Sequence, residues 1–268
     1  MKAKFLLSLF SLFLMPIASA ASNTMMENDK KIYISISEEL SEIREMIELY
    51  VAIGEGLRYK NPKVRLELVM GKCNALIKNL RQHYQSAEIR SLVDNCEIAW
   101  KEIRSHVASA LTSKDTAKMR EEILYIHSNL FKLKKTLLNI KKMLQPQMNK
   151  EIKKSLMATT VIGSAARTLS AHYYMEMWEL DDPSISNHWK KAVKKYEASL
   201  EILRNSKYVK EKNFQKLLSG VEKDLLFFKI LWEFKQGTHA PSLISKKSKH
   251  AHQNAIEMER MILSDLAK

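Results

Sequence analysis

A helical pattern that occurs twice constrains this chain more than any other feature of its sequence. The apolar positions of residues 43–144 recur in residues 166–266 at a nearly constant offset. The offset aligns Arg44 with Arg167 and, after a two-residue adjustment, His127 with His252. Because all helices share a period of about 3.6 residues, the matching breaks carry more weight than the matching phase. The pattern indicates an internal duplication of a helical unit.

Glycine and proline are sparse, with six glycines and five prolines in 268 residues, and no stretch alternates as a strand would. The prolines therefore read as helix boundaries. Pro62 and Pro183 each follow a good N-cap residue, which places them at the first position of a helix, and Pro241 opens another helix. The spacing of Ser35 and Glu38 is that of a capping box and predicts the start of the first helix.

These segments carry one-sided apolar stripes, which are typical of helix bundles. The sequence predicts an all-α protein of two tandem up-down four-helix bundles, residues 35–146 and 147–268, that arose by duplication. Residues 21–34 are predicted to form a flexible N-terminal segment. The alternative is one continuous eight-helix assembly.

Residues 1–20 have the pattern of a cleavable signal peptide. A basic start with Lys2 and Lys4 precedes an apolar run, and Ala18-Ser19-Ala20 ends it with small residues. We expect cleavage after Ala20 and a soluble periplasmic or secreted protein with no membrane span in its mature part. An uncleaved anchor is the alternative, but the apolar run is shorter than the roughly 20 residues that a span needs.

The chain is basic, with a formal net charge of +14, and the loss of Lys2 and Lys4 with the signal peptide lowers it to +12. Such a charge favours anionic partners: small anions, acidic lipid, cell-wall polymer or an acidic protein. A solvated basic surface is the simpler reading, because the lysines are scattered along helix faces. Nucleic acid is not an expected partner, since export takes the chain away from it.

Cys73 and Cys96 are the two cysteines of the chain. If helices cover residues 62–84 and 87–111, both cysteines lie at the same level of an antiparallel hairpin. In an oxidising compartment this placement predicts a disulfide, which would stabilise the fold by about 3 kcal/mol. The alternative is two buried free thiols.

Motifs for catalysis or cofactor binding are missing from the sequence. It contains no Glu-x-x-His pair, no Cys-x-x-Cys-His haem motif and no glycine-rich phosphate loop. His172 and Glu176 lie one helical turn apart and could be imagined as metal ligands, but an ordinary packing face explains them better. We therefore predict a protein that is not an enzyme and that needs no metal or cofactor.

Residues 160–180 stand out from the general composition. On a helix, Gly163, Arg167 and Ser170 lie along a stripe whose small members allow a second helix to approach, with the guanidinium beside that seam. An arginine held there is a natural anion receptor, because it stays charged and offers a planar fork of donors.

The segment Gly163-Ser-Ala-Ala-Arg167-Thr-Leu169-Ser170 resembles the Gly-x-x-x-Arg-x-Leu-Ser core of a known family: the N-terminal periplasmic sensor domain of type IV pili methyl-accepting chemotaxis transducers, PilJ-like and NarX-like. His172 departs from that pattern, which has a second arginine nearby. The resemblance implies a four-helix sensor module in signal transduction, with Arg167 at the position that holds nitrate or nitrite across a dimer seam. Arg44, its repeat partner, would then supply the second arginine from within one chain.

Two functions follow as expectations. The first is an exported sensor or ligand-binding module that binds a small oxyanion at Arg167, Gly163, Ser170 and Arg44 and acts through a membrane receptor. The second is a non-catalytic structural or protein-interaction component of the cell envelope. In the second reading both arginines are solvated or pair with acids such as Glu45 and Glu48.

Overall fold

The computed structural model describes residues 26–58, 61–145, 148–180, 182–234 and 240–267. Over these residues the chain is helical and contains no strand, so the all-α prediction is confirmed. The predicted signal peptide lies outside the described residues. The helices are α1 (Glu27–Gly54), α2 (Pro62–His83), α3 (Ala87–Ser109), α4 (Thr116–Met143), α5 (Lys150–Glu176), α6 (Pro183–Arg204), α7 (Lys212–Glu233) and α8 (Pro241–Ser264), with short 3₁₀ turns at Lys207–Lys210 and Asp265–Ala267.

The prolines mark helix starts as the sequence predicts. Pro62, Pro183 and Pro241 are the first residues of α2, α6 and α8, where their missing amide hydrogens cost no helical hydrogen bond. The first helix differs from the prediction, because α1 begins at Glu27 and not near Ser35. The additional turns bury Tyr33 against the bundle, and this packing explains why residues 27–34 are helical.

Helices α1 and α5 lie side by side at the centre and run in the same direction. Near their starts Tyr33 is close to Thr160, in the middle Arg167 Nε donates to Ser41 Oγ at 3.0 Å, and near their ends the rings of Tyr50 and Trp178 are 6.1 Å apart. The two residues of each contact are separated along the chain by nearly the same number of residues as the two copies of the sequence repeat. Both helices are therefore buried on almost all sides, polar residues included.

Each central helix has an antiparallel neighbour from its own half of the chain. On α1 lies α4, with Thr116 donating to the Gly54 carbonyl at 3.2 Å; on α5 lies α8, with Thr160 and Arg167 bonded to Glu259 and Ser248. The outer helices pack on these: α2 on α1, α3 on α4, α6 on α5 and α7 on α8. One hydrophobic cluster draws buried side chains from all eight helices. The division into two tandem bundles, residues 35–146 and 147–268, stays a prediction, with one continuous assembly as its alternative.

A buried ion pair connects the two halves at one end of the central helices. The Lys141 ammonium on α4 donates to Glu259 on α8 and to Ser37 on α1, and Thr160 on α5 donates to the same carboxylate at 3.3 Å. The lysine nitrogen also stands 3.9 Å from the centre of the Tyr33 ring. A buried pair with such partners favours one arrangement of its four helices, because removing either charge leaves the other without compensation.

The predicted Cys73–Cys96 disulfide is not present in the structure, which has both residues as free, buried thiols. The thiols are neighbours, as their equal distances from the turn predict, since the charge of Cys96 contributes to the raised pKa of Cys73. Burial, and then the nearby Glu39 carboxyl, raise the pKa of Cys73, and burial raises that of Cys96 to about 12. Both therefore act here as small core residues, which was the alternative.

Two glycines inside helices provide a test of the central packing. A Cβ at Gly163 of α5 would lie 2.9 Å from His252 Nδ1 and 3.4 Å from Ala255 Cβ on α8, whereas a Cβ at Gly71 of α2 would meet no atom within 4 Å. We expect Gly71→Ala to raise the free energy of unfolding by up to about 1 kcal/mol, through helix propensity. Gly163→Ala should lower it by about 1 kcal/mol or more, because overpacking outweighs that gain. Urea denaturation of both variants measures the difference; equal stabilisation would contradict the close α5–α8 contact.

Candidate functional site

Arg167 lies in the middle of α5, where α5 meets α1 and α8. Its side chain is 3% exposed. The guanidinium donates to Ser41 Oγ at 3.0 Å and to Ser248 Oγ at 3.1 Å, and it lies 3.5 Å from a carboxylate oxygen of both Glu45 and Glu48. The structure thus brings Arg167 against two acids of the first half of the chain.

The charge of Arg167 is balanced by these carboxylates. Burial opposes ionisation of Glu45, but hydrogen bonds from Arg65 and the charge of Arg167 outweigh it and lower the pKa of Glu45. Glu48 lies deeper, and burial raises its pKa to about 7 in spite of the Arg167 charge. An anion at Arg167 would have to compete with at least one carboxylate that is already in place.

Gly163 and Ser170 do not converge with Arg167 on one ligand position. Gly163 faces His252 and Ala255 of α8, so its role is to permit a close helix contact. Ser170 is fully buried, and its hydroxyl makes no hydrogen bond among the described residues, although it lies near enough to lower the pKa of Glu48.

Arg44 lies on α1 at the repeat position of Arg167, but its surroundings are different. Its side chain is 1% exposed, and its Nε and Nη1 atoms have no hydrogen-bond partner among the described residues. No acid of the described residues forms an ion pair with it; its guanidinium carbon lies 5.6 Å from the centre of the Phe131 ring. Burial lowers the pKa of Arg44 to about 10. Arg44 and Arg167 thus sit in separate environments.

Three histidines lie close to this guanidinium. Nε2 of His127 on α4 is 3.2 Å from Nε2 of His172 on α5, so one ring donates to the other. The exposed His188 of α6 stacks on His172, with ring centres 5.8 Å apart at 15°. Together with Lys134 of α4, which is partly exposed, these residues form what we name the basic cluster: Arg44, His127, Lys134, His172 and His188.

The positive charges of the basic cluster lower the pKa values of its neighbouring members. Burial first, and then the charge of Arg44, lower the pKa of His127 to about 3. Burial, His127 and Arg44 lower the pKa of His172, and burial and Arg44 lower that of Lys134. Asp182, the N-cap of α6, acts in the opposite direction on His127 and His188. The cluster, which is buried at Arg44 and His172 and exposed at His188, is therefore a region of positive potential that favours neutral imidazoles.

The repeat explains why the two arginines differ. The offset that pairs Arg44 with Arg167 pairs Glu45 with Thr168 and Glu48 with Ala171. The acids that balance Arg167 therefore have no acidic counterparts at the matching positions of α5. Sequence reasoning selected Arg44 but missed His127 and His188 as its neighbours. The available signal was the repeat itself, which pairs His127 with His252. The sequence does not show which other helices these histidines face.

The chemistry of the basic cluster suits an anion better than a cation. A bound anion could accept from the free donors of Arg44 and from protonated imidazoles, whereas Arg44 and Lys134 would repel a metal ion. Among the described residues no group of three or more potential metal ligands is arranged to hold an ion. Over the same part of the chain, no helix has both the length and the apolar character of a membrane span.

Comparisons with known proteins find no matching family model, no similar curated protein and no similar solved structure. The PilJ-like and NarX-like resemblance of residues 163–170 stays a prediction.

The two arginines should respond oppositely to replacement by methionine, which keeps most of the side-chain volume. Arg44→Met removes a buried charge that has no ion-pair partner among the described residues, so we expect the free energy of unfolding to rise by about 1 kcal/mol or more in dilute buffer. Arg167→Met leaves Glu48 without its ion-pair partner and Glu45 with Arg65 alone, so we expect a loss of about 3–5 kcal/mol. Urea denaturation at pH 7 checks both; destabilisation of similar size in the two variants would contradict the unbalanced charge of Arg44.

Proposed function

We propose that this protein is a non-catalytic, exported helical sensor module that binds a small oxyanion, such as nitrate or nitrite, at the basic cluster. The observation that carries the proposal is the Arg44 guanidinium, which is 1% exposed and has no acidic partner among the described residues. A buried cation without a counter-ion costs several kcal/mol of stability. A bound anion would offset that cost, and this gives the site its affinity.

The surroundings of Arg44 support an anion of small size. The guanidinium has donors without partners at Nε and Nη1 that can bind oxygens of an anion, and His127 and His172 can add donors from α4 and α5 when protonated. Because these donors come from three helices that pack closely, the ligand must fit between side chains. A large polyanion or nucleic acid does not meet that condition.

The proposed module acts through another protein. The basic cluster joins α1, α4, α5 and α6, so an anion held there would change how the halves of the chain pack against each other. A membrane receptor of the envelope is the proposed partner, since the predicted signal peptide directs export. The oxyanion proposal keeps the ligand class that the PilJ-like and NarX-like resemblance implies, and it moves the site from Arg167 to Arg44.

A structural or protein-interaction role in the envelope is the second candidate. It is favoured by large apolar side chains on the outer surface, among them Phe131, Leu226 and Phe234, which are 51%, 59% and 73% exposed. Such side chains occur singly on many soluble proteins, so they support the second role less strongly than the buried charge supports the first.

Titration of nitrate and nitrite into the mature protein tests the anion site. We expect binding by calorimetry and a rise in the thermal midpoint with ligand concentration, since only the folded state offers the cluster. Arg44→Met should abolish both effects. Arg204→Met, which removes one half-exposed guanidinium of α6, is the matched control and should bind as the parent does.

Three outcomes of this titration would be decisive. Absence of binding by the parent protein would favour the interaction role. Binding that survives Arg44→Met but is lost in folded Arg167→Met would place the site where the resemblance implies it. Equal weakening by Arg44→Met and Arg204→Met would show only a dependence on net charge.

The pH dependence of nitrate affinity is a further prediction. In the free protein the pKa of His127 is about 3, so the imidazole is neutral between pH 5 and 7. A bound anion raises the pKa of His127 and His172, because it opposes the charges of Arg44, Lys134 and His188 and adds to that of Asp182. Binding then takes up protons, and affinity should rise as pH falls from the pKa of His127 in the complex towards its value of about 3 in the free protein, by up to about tenfold per pH unit for one coupled proton.

Calorimetry at several pH values measures this slope. The double variant His127→Gln/His172→Gln keeps hydrogen-bonding groups that do not titrate, and it should bind nitrate with little pH dependence. Affinity that stays constant or falls on acidification of the parent protein would contradict the role given to the histidine pair.

A further inference from the structure

A cavity of about 220 Å³ lies beside Arg167, where α1, α2, α5 and α8 meet. It is separate from the basic cluster, because its lining contains none of the cluster residues. Its volume is below that of pockets for drug-sized molecules, so any ligand must be small. The lining carries acids, bases and an apolar wall.

The inner part of the cavity carries a carboxylate with incomplete hydrogen bonding. Glu48 is 2% exposed, and neither of its side-chain oxygens makes a hydrogen bond of normal geometry among the described residues, although the hydroxyls of Ser170 and Ser245 lie near enough to lower its pKa. Its ion pair with Arg167, at 3.5 Å, is shared with Glu45. A buried acceptor of this kind favours a ligand that donates hydrogen bonds and carries positive charge.

The outer part of the cavity carries a positive charge. Arg65 of α2 donates from Nε and Nη2 to the two carboxylate oxygens of Glu45, at 2.9 and 2.7 Å. Its charge is therefore balanced within the protein. Lys249 of α8 is exposed and forms no ion pair within 4 Å among the described residues, although its charge helps to lower the pKa of Glu45. Because the side chain is exposed and in no close ion pair, its ammonium can reach a negative group of a ligand that enters from solvent.

The remaining wall of the cavity is apolar and comes from Leu49, Ala52 and Pro62. A ligand that pairs with Glu48 and Lys249 would place its third substituent against this wall. Burial of a few methyl or methylene groups there would add to its affinity.

We propose that this cavity binds a free α-amino acid with a small apolar side chain. Its ammonium group would donate to Glu48, its carboxylate would pair with Lys249, and its side chain would contact Leu49, Ala52 and Pro62. A simple anion would face Glu45 and Glu48, and a simple amine would leave Lys249 without a partner. The proposal is independent of the oxyanion site, because it uses different residues and opposite charges at the buried end.

Calorimetric titration of the mature protein with glycine, L-valine and L-leucine tests the proposal. Isobutylamine and isovalerate, which resemble valine without its carboxylate and without its ammonium group, are the matched ligands. We expect L-valine to bind at least about tenfold more tightly than either one, because each lacks one of the two charge contacts. If none of the three amino acids binds at about 10 mM, the proposal is overturned.

Two glutamate variants locate the site. Glu48→Gln keeps the shape of the side chain but removes its charge, and we expect it to weaken L-valine by at least about tenfold. Glu39→Gln makes the same substitution at another buried glutamate of α1, whose pKa burial raises to about 8; this residue lies outside the cavity lining, and the variant should leave valine affinity unchanged. Helical circular dichroism and the thermal midpoint confirm that both variants are folded.

Each result bears on the proposal. Selective loss in Glu48→Gln, together with weak binding of both analogues, supports it. Equal loss in Glu48→Gln and Glu39→Gln, or valine affinity matched by isovalerate, would overturn it. Nitrate titration of Glu48→Gln separates the two sites, since failure of amino-acid binding leaves the oxyanion result unaffected.

Discussion

The parallel contact of α1 with α5 is the constraint on which the other features of this structure depend. Over their middle parts these two helices have almost no face directed to solvent, so charged residues such as Arg44, Glu48 and Arg167 are buried together with the apolar ones. A buried charge needs a partner or a bound counter-ion, because protein interiors solvate ions poorly. The Lys141–Glu259 pair, the Arg167 site and Arg44 are three responses to this one requirement, and they differ in how completely the charge is balanced.

The two halves of the chain show how similar backbones can carry different electrostatics. The α1–α5 contacts keep nearly the repeat offset, so Arg44 and Arg167 occupy comparable places. At the positions that balance Arg167, α1 has Glu45 and Glu48, whereas α5 has Thr168 and Ala171. A few side-chain differences thus leave one guanidinium neutralised and the other without an acidic partner in the part of the chain that the structure describes. The two halves thus share their helix geometry, whereas the side chains around Arg44 and around Arg167 differ in charge.

Incomplete charge balance is costly to a folded protein, and it is where ligands gain affinity. The proposed oxyanion site takes its affinity from an unbalanced cation, and the proposed amino-acid site takes it from a buried carboxylate whose hydrogen bonding is incomplete. Both proposals rest on atoms whose partners are missing within the described residues. Both sites also touch α1 and α5, so a ligand at either would act on the packing between the halves, which is a suitable place for a signal to a partner protein.

The sequence by itself determined the helical class, most helix boundaries and the two arginines of the repeat, because helix periodicity, proline positions and a constant offset are local properties. It misplaced the start of α1, since the burial of Tyr33 depends on a distant helix. It also predicted a disulfide where the structure has two buried thiols. Only the tertiary structure decided which charges meet. Arg167 faces acids of α1, Arg44 faces histidines of α4, α5 and α6, and these neighbours are separated by tens of residues, so their proximity is set by helix packing and not by any local pattern.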